Sequence, residues 1–122
     1  MNHGFYRFLI NEYGYLWLNR DGTPTTLTGA QYRNLLGPGS TLAQRGHLYY
    51  TYMTAETEFW RCYRKAAGVM IFTALGYSRP DGQTSDFFTN PATLEYNKEC
   101  LEYLPDAFYP AALMLDEWGN EI

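Results

Sequence analysis

Residues 5–20 alternate between apolar stretches and a polar break: Phe5, Phe8, Leu9 and Ile10 precede Asn11-Glu12-Tyr13-Gly14, and Tyr15, Leu16, Trp17 and Leu18 follow it. Aromatic and aliphatic residues on either side of a glycine-bearing break predict two strands joined as an N-terminal hairpin. Phe8, Ile10, Tyr15 and Trp17 then share one face, while Leu9, Leu16 and Leu18 occupy the other. Both faces are apolar enough to require cover, a helix on one side and a further element or a partner on the other.

Asp21-Gly22-Thr23-Pro24 reads as a turn, and the Thr28 to Gln31 spacing predicts a capping box ahead of Tyr32, Leu35 and Leu36. That short helix ends near Gly37, where Gly37-Pro38-Gly39-Ser40 breaks the chain. Residues 47–53 alternate, with Leu48, Tyr50 and Tyr52 against Tyr49 and Thr51, the period of a third strand. A long helix is expected over 55–75, capped by Thr54, with Glu56 and Glu58 in its first turns and Gly76 at its end. Its second half, 66–72, is apolar all round, which suits a helix enclosed by the sheet or by a second copy of the chain.

Residues 77–86 are polar, contain the turn Arg79-Pro80-Asp81-Gly82 and read as an exposed loop that leads directly into Phe87 and Phe88. Asn90 and Pro91 predict the start of another helix, running through Leu94, Leu101 and Leu104 to Pro105. A last strand is expected at 111–115. The pattern as a whole is α+β: a small antiparallel sheet packed against one long helix and one or two shorter ones, within one domain spanning 1–122.

Composition narrows the class. With 46% apolar and 18% charged residues the chain belongs among folded globular proteins. Thirteen acidic against nine basic residues give a net charge of −4, so there is no positive field to hold duplex DNA, and the acids are too few and too scattered to imitate it. The N-terminus lacks a signal-peptide pattern, and the most apolar run, 66–75, is half of the roughly 20 residues a bilayer requires. A cytoplasmic protein with no membrane role is expected, and Cys62 and Cys100 are expected to be reduced, packed thiols.

No residue pattern carries an obvious chemistry. His3 and His47 stand far from any cysteine or carboxylate at zinc-site spacing, and Asp116, Glu117 and Glu121 read as a solvated turn rather than a catalytic carboxylate pair. The glycine-rich break at 37–40 lacks the lysine of a nucleotide-phosphate loop. No metal, no cofactor and no enzymatic activity are expected.

What stands out is aromaticity. Twelve tyrosines, seven phenylalanines and three tryptophans make 22 aromatic residues in 122, and tyrosine joins an apolar ring to a polar tip, as recognition surfaces require. The leading expectation is a non-enzymatic protein that binds a macromolecule, most simply another protein, through Tyr15, Trp17, Phe87 and Phe88. Small intracellular adaptors and phage-encoded inhibitors of host defences share this general profile, which is an analogy of type rather than of sequence. The alternative is a protein that sequesters a small nucleotide-like anion, because Trp60, Arg61, Tyr63, Arg64 and Lys65, with Arg79, interleave cations with rings able to stack a base. A homodimer is compatible with either reading.

Overall fold

A computed structural model describes residues 7–62, 66–76, 78–79, 82–83 and 87–114. The longest element is a helix, α2 (Leu42–Cys62), preceded by the shorter α1 (Gly29–Leu36) and followed by α3 (Lys98–Phe108). A reciprocal cap starts α2. The Gln44 N–H donates to Thr41 Oγ1 at 3.2 Å, and the Thr41 N–H donates to Gln44 Oε1 at 2.8 Å, which satisfies two backbone donors that a helix start would otherwise leave without partners. Gly46, Tyr49, Tyr50, Met53 and Thr57 are buried along it, at intervals of three and four residues that define one helical face. The strand expected at 47–53 is therefore part of α2: tyrosines favour strands intrinsically, but burial at helical spacing outweighs a short run of alternation.

The long helix expected over 55–75 stops at Cys62, and the small apolar run behind it becomes a strand, β2 (Ala66–Val69). It pairs in parallel with β1 (Phe8–Ile10), matching Phe8 with Ala66, Leu9 with Gly68 and Ile10 with Val69. Gly68 suits this contact because a β-carbon there would press within 3.3 Å of Leu9 Cδ2. The pairing continues beyond the strands, with the Met70 N–H donating to Ile10 O at 2.9 Å and the Phe72 N–H to Tyr13 O at 3.1 Å. Parallel strands need a long crossover, here the segment that carries α1 and α2. The predicted N-terminal hairpin is thereby replaced. Residues 11–17 form no ladder with β1, and Gly14, at φ 86°, turns the chain towards α2 instead of back along the strand.

Helix α1 forms where expected, but Thr28 does not cap it through its side chain. Its hydroxyl donates instead to Trp17 O at 2.6 Å and accepts from the Thr25 N–H at 3.1 Å, fastening the helix start to the preceding loop. Two antiparallel pairs follow: β3 (Ser78–Arg79) with β4 (Gly82–Gln83), inside the segment expected to be a loop, and β5 (Phe88–Asn90) with β6 (Glu95–Tyr96). Asn90, predicted to cap a helix, accepts a hydrogen bond from the Ala92 N–H at 3.0 Å and shapes the turn between β5 and β6. The helix starts later, where Asn97 Oδ1 accepts from the Glu99 and Cys100 N–H groups at 2.9 and 3.3 Å. Pro105 lies within α3 rather than ending it. Residues 111–114 are irregular, and Leu115, the end of the predicted last strand, lies outside the described residues.

Among the described residues the result is a mixed α+β architecture of three helices and small two-stranded sheets. Its core lies where α2 meets α3, built from Tyr32, Tyr49, Tyr50, Met53, Cys100 and Leu104, with Leu18 and Phe87 closing the ends. Among the described residues no helix is long and apolar enough to cross a membrane.

Candidate functional site

Helix α3 carries two apolar arcs. Cys100, Leu104 and Ala107 point into the core, and Leu101, Pro105 and Phe108 lie further round the helix, on a face that α2 does not cover. Against this second arc runs the chain that leaves β2, contributing Val69, Met70, Ile71 and Ala74, with Tyr96 at one end. Together they enclose an apolar groove of about 530 Å³. Its lips are open to solvent, with Met70, Tyr96, Leu101 and Phe108 between 42% and 55% exposed. Its floor is the core itself, since Phe87, Cys100 and Leu104 are buried residues that also line the groove. Burial pushes the Cys100 thiol up to about 12, so it stays protonated at neutral pH and serves as apolar wall rather than as nucleophile.

Charge is arranged unevenly around the groove. Lys98, Glu102 and Asp106 follow next round α3 and are exposed, Arg61 stands near the Phe108 end of the groove, and the opposite lip, residues 66–76, contains no charged residue. Among the described residues the α3 rim thus carries two acids against one lysine.

Of the four residues expected to bind a partner, the Tyr15–Trp17 pair and Phe87 meet the segment that forms this lip at two places, and Phe88 faces elsewhere. The Trp17 Nε1–H donates to Phe72 O at 3.2 Å, and its ring meets Tyr15 edge-on at 5.3 Å and Phe72 at 6.0 Å. Tyr15 is 49% exposed, Trp17 half-buried. The Phe87 N–H donates to Ala74 O at 3.1 Å, and its ring is core, so Phe87 meets the groove only as floor. Phe88 lies 4.6 Å from the Tyr96 ring and faces a separate, smaller hollow beside Tyr50 and Asn97. Met70, Leu101 and Phe108, which form the lips, lie outside the set expected from the sequence. The signal was present in α3, whose two apolar arcs together are wider than a helix buried on one side needs.

Comparison with family models, with curated proteins and with solved structures returns no match. The functional reading therefore rests on the geometry of the chain.

The cation set expected to hold an anion is arranged differently. Arg61 directs its guanidinium at the end of α3, donating to Ala107 O and, at 2.8 Å, to Tyr109 O, which satisfies carbonyls that a helix C-terminus leaves free. Trp60 packs edge-on against Phe59 at 5.0 Å and borders a hollow of about 340 Å³ with Arg61 and Phe108. Tyr63, Arg64 and Lys65 lie outside the described residues, and of Arg79 only the backbone, in β3, is described.

One buried polar cluster stands apart from the groove. Thr57 donates its hydroxyl to Met53 O at 2.7 Å, so Tyr13 is the donor in the 2.7 Å bond between its hydroxyl and Thr57 Oγ1. Burial raises the Tyr13 hydroxyl to about 12. Beside it Glu56 accepts bonds from Tyr52 and from the Gly14 backbone, while its Oε2 is shut away from water without a partner. Burial accordingly raises the Glu56 carboxyl above its ordinary range. Among the described residues no three His, Cys, Asp or Glu side chains gather as a metal site would need.

Proposed function

We propose that this is a non-enzymatic binding protein that recognises a protein partner through the apolar groove between α3 and residues 69–74. The observation that supports this reading is the continuity of the groove with the core: buried Phe87, Cys100 and Leu104 form its floor, and four large side chains stand half-exposed along its lips. Contiguous apolar surface of this kind is costly to leave in water, and on soluble proteins it marks interaction sites. The Tyr15–Trp17 pair, joined to the same segment at Phe72, extends the aromatic surface beyond the groove. Buried aromatic and aliphatic anchors in such a surface contribute about 2 kcal/mol or more each when a partner covers them.

The test is site-specific photo-cross-linking in the host cell. A benzophenone amino acid at Leu101 is expected to capture one protein that the same probe at Leu35, an equally exposed leucine on α1, does not capture. Met70→Glu should abolish that adduct. Identical adducts from Leu101 and Leu35, or an adduct indifferent to Met70→Glu, would overturn the reading.

A further inference from the structure

The groove's shape and charge narrow the class of partner, and this step rests on the binding-protein reading above. We infer that the groove takes an amphipathic helix of about three turns whose apolar stripe is flanked by lysine or arginine. Leu101, Pro105 and Phe108 recur at four and three residues along α3 and form a ridge of the kind that seats against another helix. The wall they form is helical over Lys98–Phe108, about 16 Å of length. Its backbone bonds are made within the helix, so that wall offers an incoming chain side-chain contact rather than a strand edge. A helix is the peptide conformation that satisfies its own backbone and docks by side chains alone.

The sign of the flank follows from the rim. Glu102 and Asp106 outnumber Lys98 along α3, and residues 66–76 of the facing lip carry no charge, so a basic flank on the bound helix gains attraction along α3. A second copy of this chain gains less, because a two-fold contact through the groove sets each acidic rim against either the other acidic rim or an uncharged lip. Phosphate-bearing surfaces, whether nucleic acid or anionic membrane, are disfavoured by the same charges.

The probe is a fluorescent peptide of about 14 residues with leucine at helical spacing and lysine elsewhere, titrated with the full chain and followed by anisotropy. Controls are its twin with glutamate in place of lysine and a peptide of the same composition in scrambled order. The lysine peptide is expected to bind at least about tenfold more tightly than either control and to weaken as salt rises. Leu101→Gln should cost about tenfold, and Glu102→Lys with Asp106→Lys should reverse the preference between the lysine and glutamate peptides. Equal binding of the glutamate twin, or a preference unmoved by the two lysines, overturns the charge assignment. Equal binding of the scrambled peptide overturns the helix, and a dimer in sedimentation that Leu101→Gln dissociates shows that a second copy fills the groove. If the peptides fail while the probe at Leu101 still captures one protein, this inference falls and the binding reading stands. If both fail, both fall.

Discussion

The two faces of α3 are built from similar residues and treated in opposite ways. On one, Cys100, Leu104 and Ala107 are at most 4% exposed, pressed against the tyrosines of α2. On the other, Leu101 and Phe108 keep 55% and 42% of their surface in solvent, beside an equally uncovered Met70. The first face accounts for folding, since its apolar area leaves water when the chain collapses. The second gains less from folding, because about half of its side-chain surface stays in water, and that remaining surface is what the proposed partner would cover.

Substitutions in the core and on the open face test the contrast. The largest effect is expected at Met53, fully buried in α2: Met53→Ala should lower unfolding free energy by about 2–5 kcal/mol, measured by urea denaturation. Gly14→Ala should follow at about 1–3 kcal/mol, because φ is 86° there and the added methyl would collide with the Met53 sulfur. Tyr32→Phe removes the hydroxyl that donates to Leu16 O at 2.5 Å and should cost about 1–2 kcal/mol while the fold persists. By contrast Leu101→Ala, on the open face, should stay within about 0.5 kcal/mol of the parent. A cost at Leu101 as large as that at Met53 would show that the groove face belongs to the folding core after all.

Glu56 gives a smaller, pH-dependent signal. Its carboxyl titrates higher in the folded chain than in the unfolded one, so the folded state binds the proton more readily. Its favourable contribution is then present at acidic pH and lost as pH rises through its raised titration. Glu56→Gln is therefore expected to melt at higher temperature than the parent at neutral pH, and the advantage should shrink as pH falls towards about 4. Parallel melting curves for the two proteins across that range would contradict the burial of this carboxylate.

How much of this was legible in the sequence differs by element. Helix α1 could be read because its apolar residues and the Gly37 break are local signals. Helix α2 was misread because tyrosine favours strands and residues 48–52 alternate, although Gly46, Tyr49, Tyr50, Met53 and Thr57 already carried the helical spacing and Thr41 with Gln44 the cap. The parallel pairing of Phe8 with Ala66 had no local signature, since it depends on a crossover that only the assembled fold supplies. The asparagine before Pro91 is a sound cap signal used for a turn, and the working cap is Asn97. At the candidate site, Phe87 was singled out for its aromaticity yet serves as floor. Met70 and Leu101 went unnoticed because exposure is a property of packing, which one chain's pattern does not reveal.

NMR shift mapping of the isotope-labelled chain during titration with the lysine–leucine peptide reports directly where the peptide sits. Shifts are expected to concentrate at Met70, Ile71, Tyr96, Leu101 and Phe108 and to leave Leu35 and Thr41 unmoved. Shifts centred on α1 or spread evenly over the surface would show that the open face of α3 is not the binding site.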